Sequence, residues 1–288
     1  MTSRRSALPH TAAHRMRLIP RQPGSWAMVL APAIAAIVLQ SGFHAIAMSC
    51  LVTLDWALSY GMQYAINRWI VAGARHRYAR EALICTAVTA AFGIPTLIIA
   101  PGLLRWTPWF AALLAVTVFS AMIRLNTHAI WSQVAGVIAS CTIPATFPSA
   151  ANPSAAIPPD GMHWWEMLVW WPNSAVNRTS LIVAIMMLWY EIGSLLFVRS
   201  MIREFGNNRY RLAAIAWHAA MMVAVITAAY AGMFVRPWAA IVAATALVVR
   251  VGAWDTISQT RPAISRLAMT ECLAVVITTV CTIIACLA

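Results

Sequence analysis

The sequence predicts an all-α protein that crosses a membrane many times, as a bundle of about nine helical spans. Of its 288 residues, 61% are apolar and only 10% are charged, and the mean hydropathy is +0.74. Soluble domains are less apolar and carry more charge. The apolar residues also fall into separate runs of about 17 to 22 residues, which is the length of a helix that crosses the hydrocarbon core.

Nine apolar runs define the predicted spans. They cover residues 26–42, 44–66, 82–100, 108–124, 129–147, 180–198, 212–232, 236–253 and 268–287. Residues 1–25 then form an Arg-rich cytoplasmic segment, and residues 26–288 form the membrane domain. Only Ser41, Gly42 and His44 separate the first two runs, so these runs could instead form one bent element, which would leave eight spans.

The distribution of arginine predicts the orientation of the bundle. Basic residues accumulate in the loops that stay in the cytoplasm, and all 20 basic residues of this chain are Arg. With a cytoplasmic amino terminus, only Arg105, Arg178 and Arg236 fall outside. The abundance of Ala and Arg and the absence of Lys are typical of a GC-rich bacterial genome. We therefore expect a multi-pass protein of the bacterial cytoplasmic membrane.

The net charge of +12 does not indicate a nucleic-acid-binding protein, because no soluble domain is present to carry a groove-reading element. Anionic lipid headgroups are the expected partners of Arg residues that lie beside membrane spans. The six Cys and seven His show no spacing typical of metal ligands, so no metal site is predicted. Gly-rich phosphate loops are also absent, and the sequence names no cofactor.

Polar residues inside the apolar runs are the strongest functional signal, because lipid offers them no partners. Asp55, Ser59, Gln63 and Asn67 recur every four residues, so they share one face of the second span, toward its cytoplasmic end. We predict a cavity open to the cytoplasm, with acidic groups deep inside and Arg at its rim. The predicted ligand-binding residues are Asp55, Gln63, Asn67, Arg68, Arg75, Arg77, Arg124, Glu191, Arg199 and Arg203. The alternative is that these groups only pair with neighbouring helices and hold the bundle together.

A Pro- and Trp-rich outer loop is predicted over residues 148–179. Its Pro-rich part, beginning at Pro148, is expected to be non-helical. The pairs Trp164–Trp165 and Trp170–Trp171 are six residues apart and favour a short helix in the outer membrane interface over a ligand-stacking box.

The segment from Pro20 to Met28 resembles the opening of YwiC-like bacterial membrane proteins, which reads Pro-Arg/Lys-Gln-His-Gly-Ala-Trp-Ala-Met. The similarity extends through residues 75–78, 124–133, 196–203 and 236–254. Pro23 stands where the family usually has His, so this chain lacks any chemistry that rests on that His. The resemblance implies a membrane protein, and the family has no established activity to carry over.

A more distant resemblance is to UbiA-type intramembrane prenyltransferases, which have nine helices, a cytoplasm-facing cavity and functional loops after helices two and six. Their Asn-Asp-x-x-Asp-x-x-x-Asp motif holds magnesium. Here Asn67 is followed by Arg68, Val71 and Arg75 at that spacing, and the second loop offers only Glu204 as a carboxylate. The missing carboxylates count against prenyl transfer, although Arg side chains can bind phosphate or carboxylate groups directly.

Three functions remain open from the sequence. The first is binding of an anionic amphiphile, such as a lipid, an isoprenoid or a quinone-like molecule, with or without catalysis. The second is secondary transport, for which Asp55 and Glu191 would be proton or substrate sites near mid-membrane. The third is a non-catalytic role as partner of a membrane complex, for example a respiratory one.

Overall fold

The protein is an all-α helical bundle, as the sequence predicts. A computed structural model describes residues 25–73, 75–124, 130–152, 178–257 and 262–287. Within these ranges 90% of the residues are helical and no strand occurs. The predicted fold class is therefore confirmed.

Nine α-helices and one short 3-10 helix, η1, make up the described ranges. They are α1 (Ser25–Val38), α2 (Phe43–Val71), α3 (His76–Ile99), η1 (Pro101–Trp106), α4 (Thr107–Arg124), α5 (Ile130–Ala151), α6 (Arg178–Ile202), α7 (Asn208–Tyr230), α8 (Pro237–Ile257) and α9 (Ile264–Cys286). Eight of the helical segments, from α2 to α9, are long and apolar enough to cross a membrane. The chain is thus a multi-pass membrane protein.

The first helix is shorter than the predicted span over 26–42. Helix α1 has 14 residues, which extend about 21 Å and fall short of a hydrocarbon core about 30 Å thick. It ends before Gly42, whose positive φ of 87° turns the chain just before α2 begins. The first two runs are therefore separate helices and not one bent element. Three buried alanines, Ala33, Ala35 and Ala36, let α1 pack closely within the bundle.

Helix α5 continues through Pro148, so the prediction of a non-helical stretch from that residue is wrong. The helix contains both Pro144 and Pro148 and ends at Ala151. A proline removes one backbone donor, but neighbouring groups can compensate for the loss inside a membrane bundle. The Pro148 carbonyl accepts a hydrogen bond from the Asn152 amide at 3.1 Å, so helical bonding persists beyond the proline. The Trp pairs of the predicted outer loop lie outside the described residues.

Two groups of four helices meet at the centre of the bundle. Helices α2 to α5 pack on one another, α6 to α9 form the second group, and α5 packs on α6 between them. Helix α1 contacts both groups. Because consecutive helices alternate in direction, Arg68, Arg75, Arg199 and Arg203 lie at one end of the bundle, which we call the Arg-rich end. The 3-10 helix η1 lies at the opposite end.

Candidate functional site

Two neighbouring cavities are formed by the described residues, and the larger of them lies within the first helix group. It has a volume of about 320 Å³ and is bounded by α2, α3, η1, α4 and α5. Most of its lining is apolar and includes Trp56, Trp106 and Phe110. The residues from η1 and from the start of α4 place this cavity in the half of the bundle away from the Arg-rich end. Asp55 is the acidic residue in its wall.

The smaller cavity is more polar and lies closer to the Arg-rich end. It has a volume of about 160 Å³ and is bounded by α1, α2, α5 and α6. Its polar lining residues are Tyr60, Gln63, Tyr64, Asn67, Ser132, Gln133, Ser140 and Glu191. Gln63 and Gly136 line both cavities, so the two spaces are immediate neighbours.

Glu191 is the most unusual residue of the smaller cavity. It lies in the middle of α6 and is completely buried. Neither of its carboxyl oxygens has a conventional hydrogen-bond partner among the described residues, and only the weakly donating thiol of Cys141 interacts with it. The buried side-chain oxygen of Asn67 is also without a partner in this part of the structure. Unpaired polar groups are costly inside a protein, so both residues are candidates for contact with a ligand or for carrying a proton.

Asp55 occupies a comparable position in the larger cavity. The Thr96 hydroxyl lies beside its carboxyl group. Within the described residues, one oxygen of that carboxyl and the indole N–H of the neighbouring Trp56 are buried without hydrogen-bond partners. The wall of this largely apolar space therefore contains two groups with unused hydrogen-bonding capacity.

The predicted Arg residues whose side chains the structure describes do not line either cavity. The Arg68 guanidinium donates to the buried carboxylate of Glu81 at 3.0 Å, and it lies over the rings of Tyr64 and Tyr78. This pairing holds Arg68 at the corner between α2 and α3. The sequence prediction missed Glu81, which is only 1% exposed.

The other predicted Arg residues lie near the helix ends. Arg199 is 3.7 Å from the Glu204 carboxylate and lies over the ring of Tyr210. Arg203 follows α6, and loss of hydration together with the nearby charge of Arg199 lowers its pKa. Arg75 is exposed just before α3. Arg77 lies in α3 and Arg124 lies in α4, and the side chains of both are outside the part of the chain that the structure describes.

A second buried polar group, which the predicted site did not include, joins α6, α7, α8 and α9. We call Ser194, His218, Arg250 and Glu271 the ion-pair cluster. Arg250 Nη1 donates to Glu271 Oε1 at 2.6 Å, and the Ser194 hydroxyl donates to the other carboxylate oxygen. The signal that could have found it is in the sequence: His218, Arg250 and Glu271 each interrupt an apolar run.

The position of His218 in this cluster depends on Gly193. A Cβ atom at position 193 would lie 2.9 Å from two atoms of the His218 ring, so only glycine allows this approach. The ring Nδ1 lies 2.7 Å from the Ala214 carbonyl oxygen, which can only accept, and therefore Nδ1 donates. The ring Nε2 is then the acceptor for Arg250 Nη2 at 3.3 Å. The Arg250 guanidinium thus bridges an imidazole and a carboxylate inside the bundle.

The described residues contain no group of three or more His, Cys, Asp or Glu side chains that could hold a metal ion.

Comparison with known protein families gives a match over the first half of the chain. Residues 19–147 match a family model described as YwiC-like protein. No curated protein and no solved structure matches the chain. The likeness to UbiA-type prenyltransferases therefore stays a prediction. Over residues 19–147 the chain is similar to YwiC-like proteins, and its long apolar helices make it a multi-pass membrane protein.

Proposed function

We propose that the protein binds a membrane amphiphile with a small uncharged polar head, of the quinone-like kind. The observation that supports this most is the adjacency of the two cavities through Gln63 and Gly136. The apolar body of the ligand would occupy the larger cavity, where Trp56, Trp106 and Phe110 provide flat apolar surfaces. The head would occupy the smaller, polar cavity.

The side chains around the smaller cavity favour an uncharged head over an anionic one. Its described lining includes the Glu191 carboxyl and no Arg. An anionic head would therefore lie beside an acidic group without a cation to balance it. The amides of Gln63 and Asn67 can instead donate to a quinone carbonyl or accept from a quinol hydroxyl. Among the amphiphiles that the sequence left open, the quinone-like class fits these groups best.

The arginines have a different role in this proposal. At the Arg-rich end, Arg75 is exposed and could contact lipid phosphates. Such contacts would fix the depth and orientation of the protein in the cytoplasmic membrane, with the amino terminus inside. Bulk anionic lipids are then surface partners, distinct from the ligand of the two cavities.

The proposal predicts that Gln63→Leu weakens quinone binding. We expect saturable quenching of tryptophan fluorescence when decylubiquinone is added to the detergent-purified protein, because Trp56 and Trp106 line the larger cavity. Loss of one hydrogen bond to the head would raise the Kd by about tenfold. Gln40→Leu is the matched control, because Gln40 lines neither cavity and donates to the nearby Ala36 carbonyl.

A competition experiment distinguishes an uncharged ligand head from an anionic one. Farnesyl diphosphate has an apolar chain and an anionic head, and we expect it to compete poorly with decylubiquinone. If farnesyl diphosphate bound more tightly than decylubiquinone, and Arg68→Leu abolished that binding, the ligand would instead be an anionic amphiphile. Equal effects of Gln63→Leu and Gln40→Leu, or no saturable quenching, would contradict the quinone proposal itself.

The same cavities support a second function, secondary transport. The larger cavity lies toward the η1 end and the smaller one toward the Arg-rich end, and they meet at Gln63. Spaces near opposite ends that meet at mid-membrane suit a protein that alternates access to one site. Asp55 and Glu191 would then be the proton or substrate groups. Uptake into proteoliposomes that survives the combined Asp55→Asn and Glu191→Gln substitutions would argue against this assignment.

A further inference from the structure

We propose that Glu191 and Glu271 share one exchangeable proton, which passes between them across α6 by way of the Ser194 hydroxyl. The ion-pair cluster is then a proton-exchange site as well as a structural contact. The function of this proton at the ligand head rests on the proposed function, because Glu191 lines the smaller cavity. The proton path itself does not depend on any ligand.

The geometry places the two carboxyl groups on neighbouring faces of α6. Glu191 faces the smaller cavity, and Ser194 lies three residues further along the same helix. Residues three apart on a helix are about 5–6 Å apart at their Cβ atoms. The Ser194 hydroxyl donates to Glu271 on the other side. Tyr190 contacts the same two residues. Its hydroxyl lies beside Ser194 and donates to the Glu271 backbone carbonyl at 3.4 Å.

The balance of charge leaves one proton to be shared. Arg250 contributes one positive charge to the cluster, and it pairs with the Glu271 carboxylate at 2.6 Å. His218 is the neutral tautomer, because its Nδ1 donates and its Nε2 accepts. Within the part of the chain that the structure describes, the other titratable groups that face these carboxyls are Cys141 on α5, Tyr190 on α6, and Tyr60 and Tyr64 on α2. None of these supplies a second positive charge, so only one of the two carboxyls is balanced when ionised.

The transfer is a balanced proton relay. A rotamer change of Glu191 brings its carboxyl O–H to the Ser194 oxygen, which accepts that proton and passes its own to Glu271 Oε2. One carboxyl O–H bond breaks at Glu191 and one forms at Glu271. Glu271 is the partly exposed member of the pair, at 15% against complete burial for Glu191. In the proposed path, Glu271 is therefore the more accessible end and Glu191 is the enclosed end.

Infrared spectroscopy of the ligand-free protein in lipid tests this path. We expect a carbonyl stretch from a protonated carboxyl that disappears in Glu191→Gln. After transfer into D2O, this band shifts as the proton exchanges for deuterium. Ser194→Ala removes the relay and is expected to slow the exchange by about tenfold or more, the rate effect of losing one hydrogen bond. Glu271→Gln removes the proton acceptor and is expected to slow it comparably.

The matched control is Ser180→Ala, because Ser180 is also a buried serine of α6 but lies at the far end of that helix. It should leave the exchange rate unchanged. A band that exchanges equally fast in wild type, Ser194→Ala and Glu271→Gln would show that protons enter through the smaller cavity, which overturns the proposal. Absence of any band lost in Glu191→Gln would also overturn it. Because no ligand is added, failure of quinone binding leaves this result intact.

Discussion

Replacing Arg250 by Leu is expected to lower the free energy of unfolding by about 3–5 kcal/mol, because it leaves the Glu271 carboxylate without its cation inside the bundle. The loss is large because Arg250 has two partners. Glu271 would keep only the Ser194 hydroxyl, and the Nε2 acceptor of His218 would lose its donor. The change also removes the contact between the guanidinium and the Phe197 ring, whose centroid is 4.6 Å away. The measurement is equilibrium unfolding of the purified protein in detergent.

The double variant Arg250→Leu with Glu271→Leu separates a missing ion pair from a general packing defect. Replacing both charges by apolar groups is often neutral, so most of the lost stability should return in the double variant. Arg266→Leu is the matched surface control, because Arg266 is exposed near the start of α9, and it should change stability by no more than about 0.5 kcal/mol. If the double variant lost as much free energy of unfolding as the two single variants together, Arg250 and Glu271 would have no coupling energy, which would contradict this prediction.

Gly102→Ala is expected to destabilise the protein by about 1–3 kcal/mol through overpacking. A Cβ atom at position 102 would clash with the backbone oxygen of Ser149 in the last turn of α5, and a backbone atom cannot rotate away as a side chain can. Separation of η1 from α5 would also strain the hydrogen bond from the Trp106 indole to the Ser149 hydroxyl, which is 3.0 Å long. Because Leu103 and Trp106 line the larger cavity, decylubiquinone binding should weaken together with stability.

Gly61→Ala is the matched control for this prediction. Gly61 lies inside α2, and nothing lies within 4 Å of a Cβ atom built there. Alanine has a higher helix propensity than glycine, so this variant should be unchanged or stabilised by up to about 1 kcal/mol. Equal unfolding midpoints for the two variants would contradict the close approach of η1 to α5.

Local properties of the sequence predicted most of the helices. An apolar run about 20 residues long is readable from hydropathy alone, because the thickness of the hydrocarbon core sets its length. The observed helices differ from the predicted ones where contacts with other helices determine how far a helix extends. Helix α1 stops after 14 residues and packs among its neighbours, η1 forms against α5, and α5 continues through Pro148. Neither packing partners nor the satisfaction of backbone groups by neighbours can be read from hydropathy.

By itself, the sequence determined the membrane-spanning class, the approximate helices and the shared face of Asp55, Ser59, Gln63 and Asn67, because these depend on local composition and helical period. Every member of that face lines one of the cavities. The tertiary structure alone decided that the face divides between two cavities. It also decided the partners of the buried charges, such as Glu81 for Arg68 and Glu271 for Arg250. Pairing across helices depends on which helices are neighbours and how each is rotated about its axis, and residues far apart in the chain fix both.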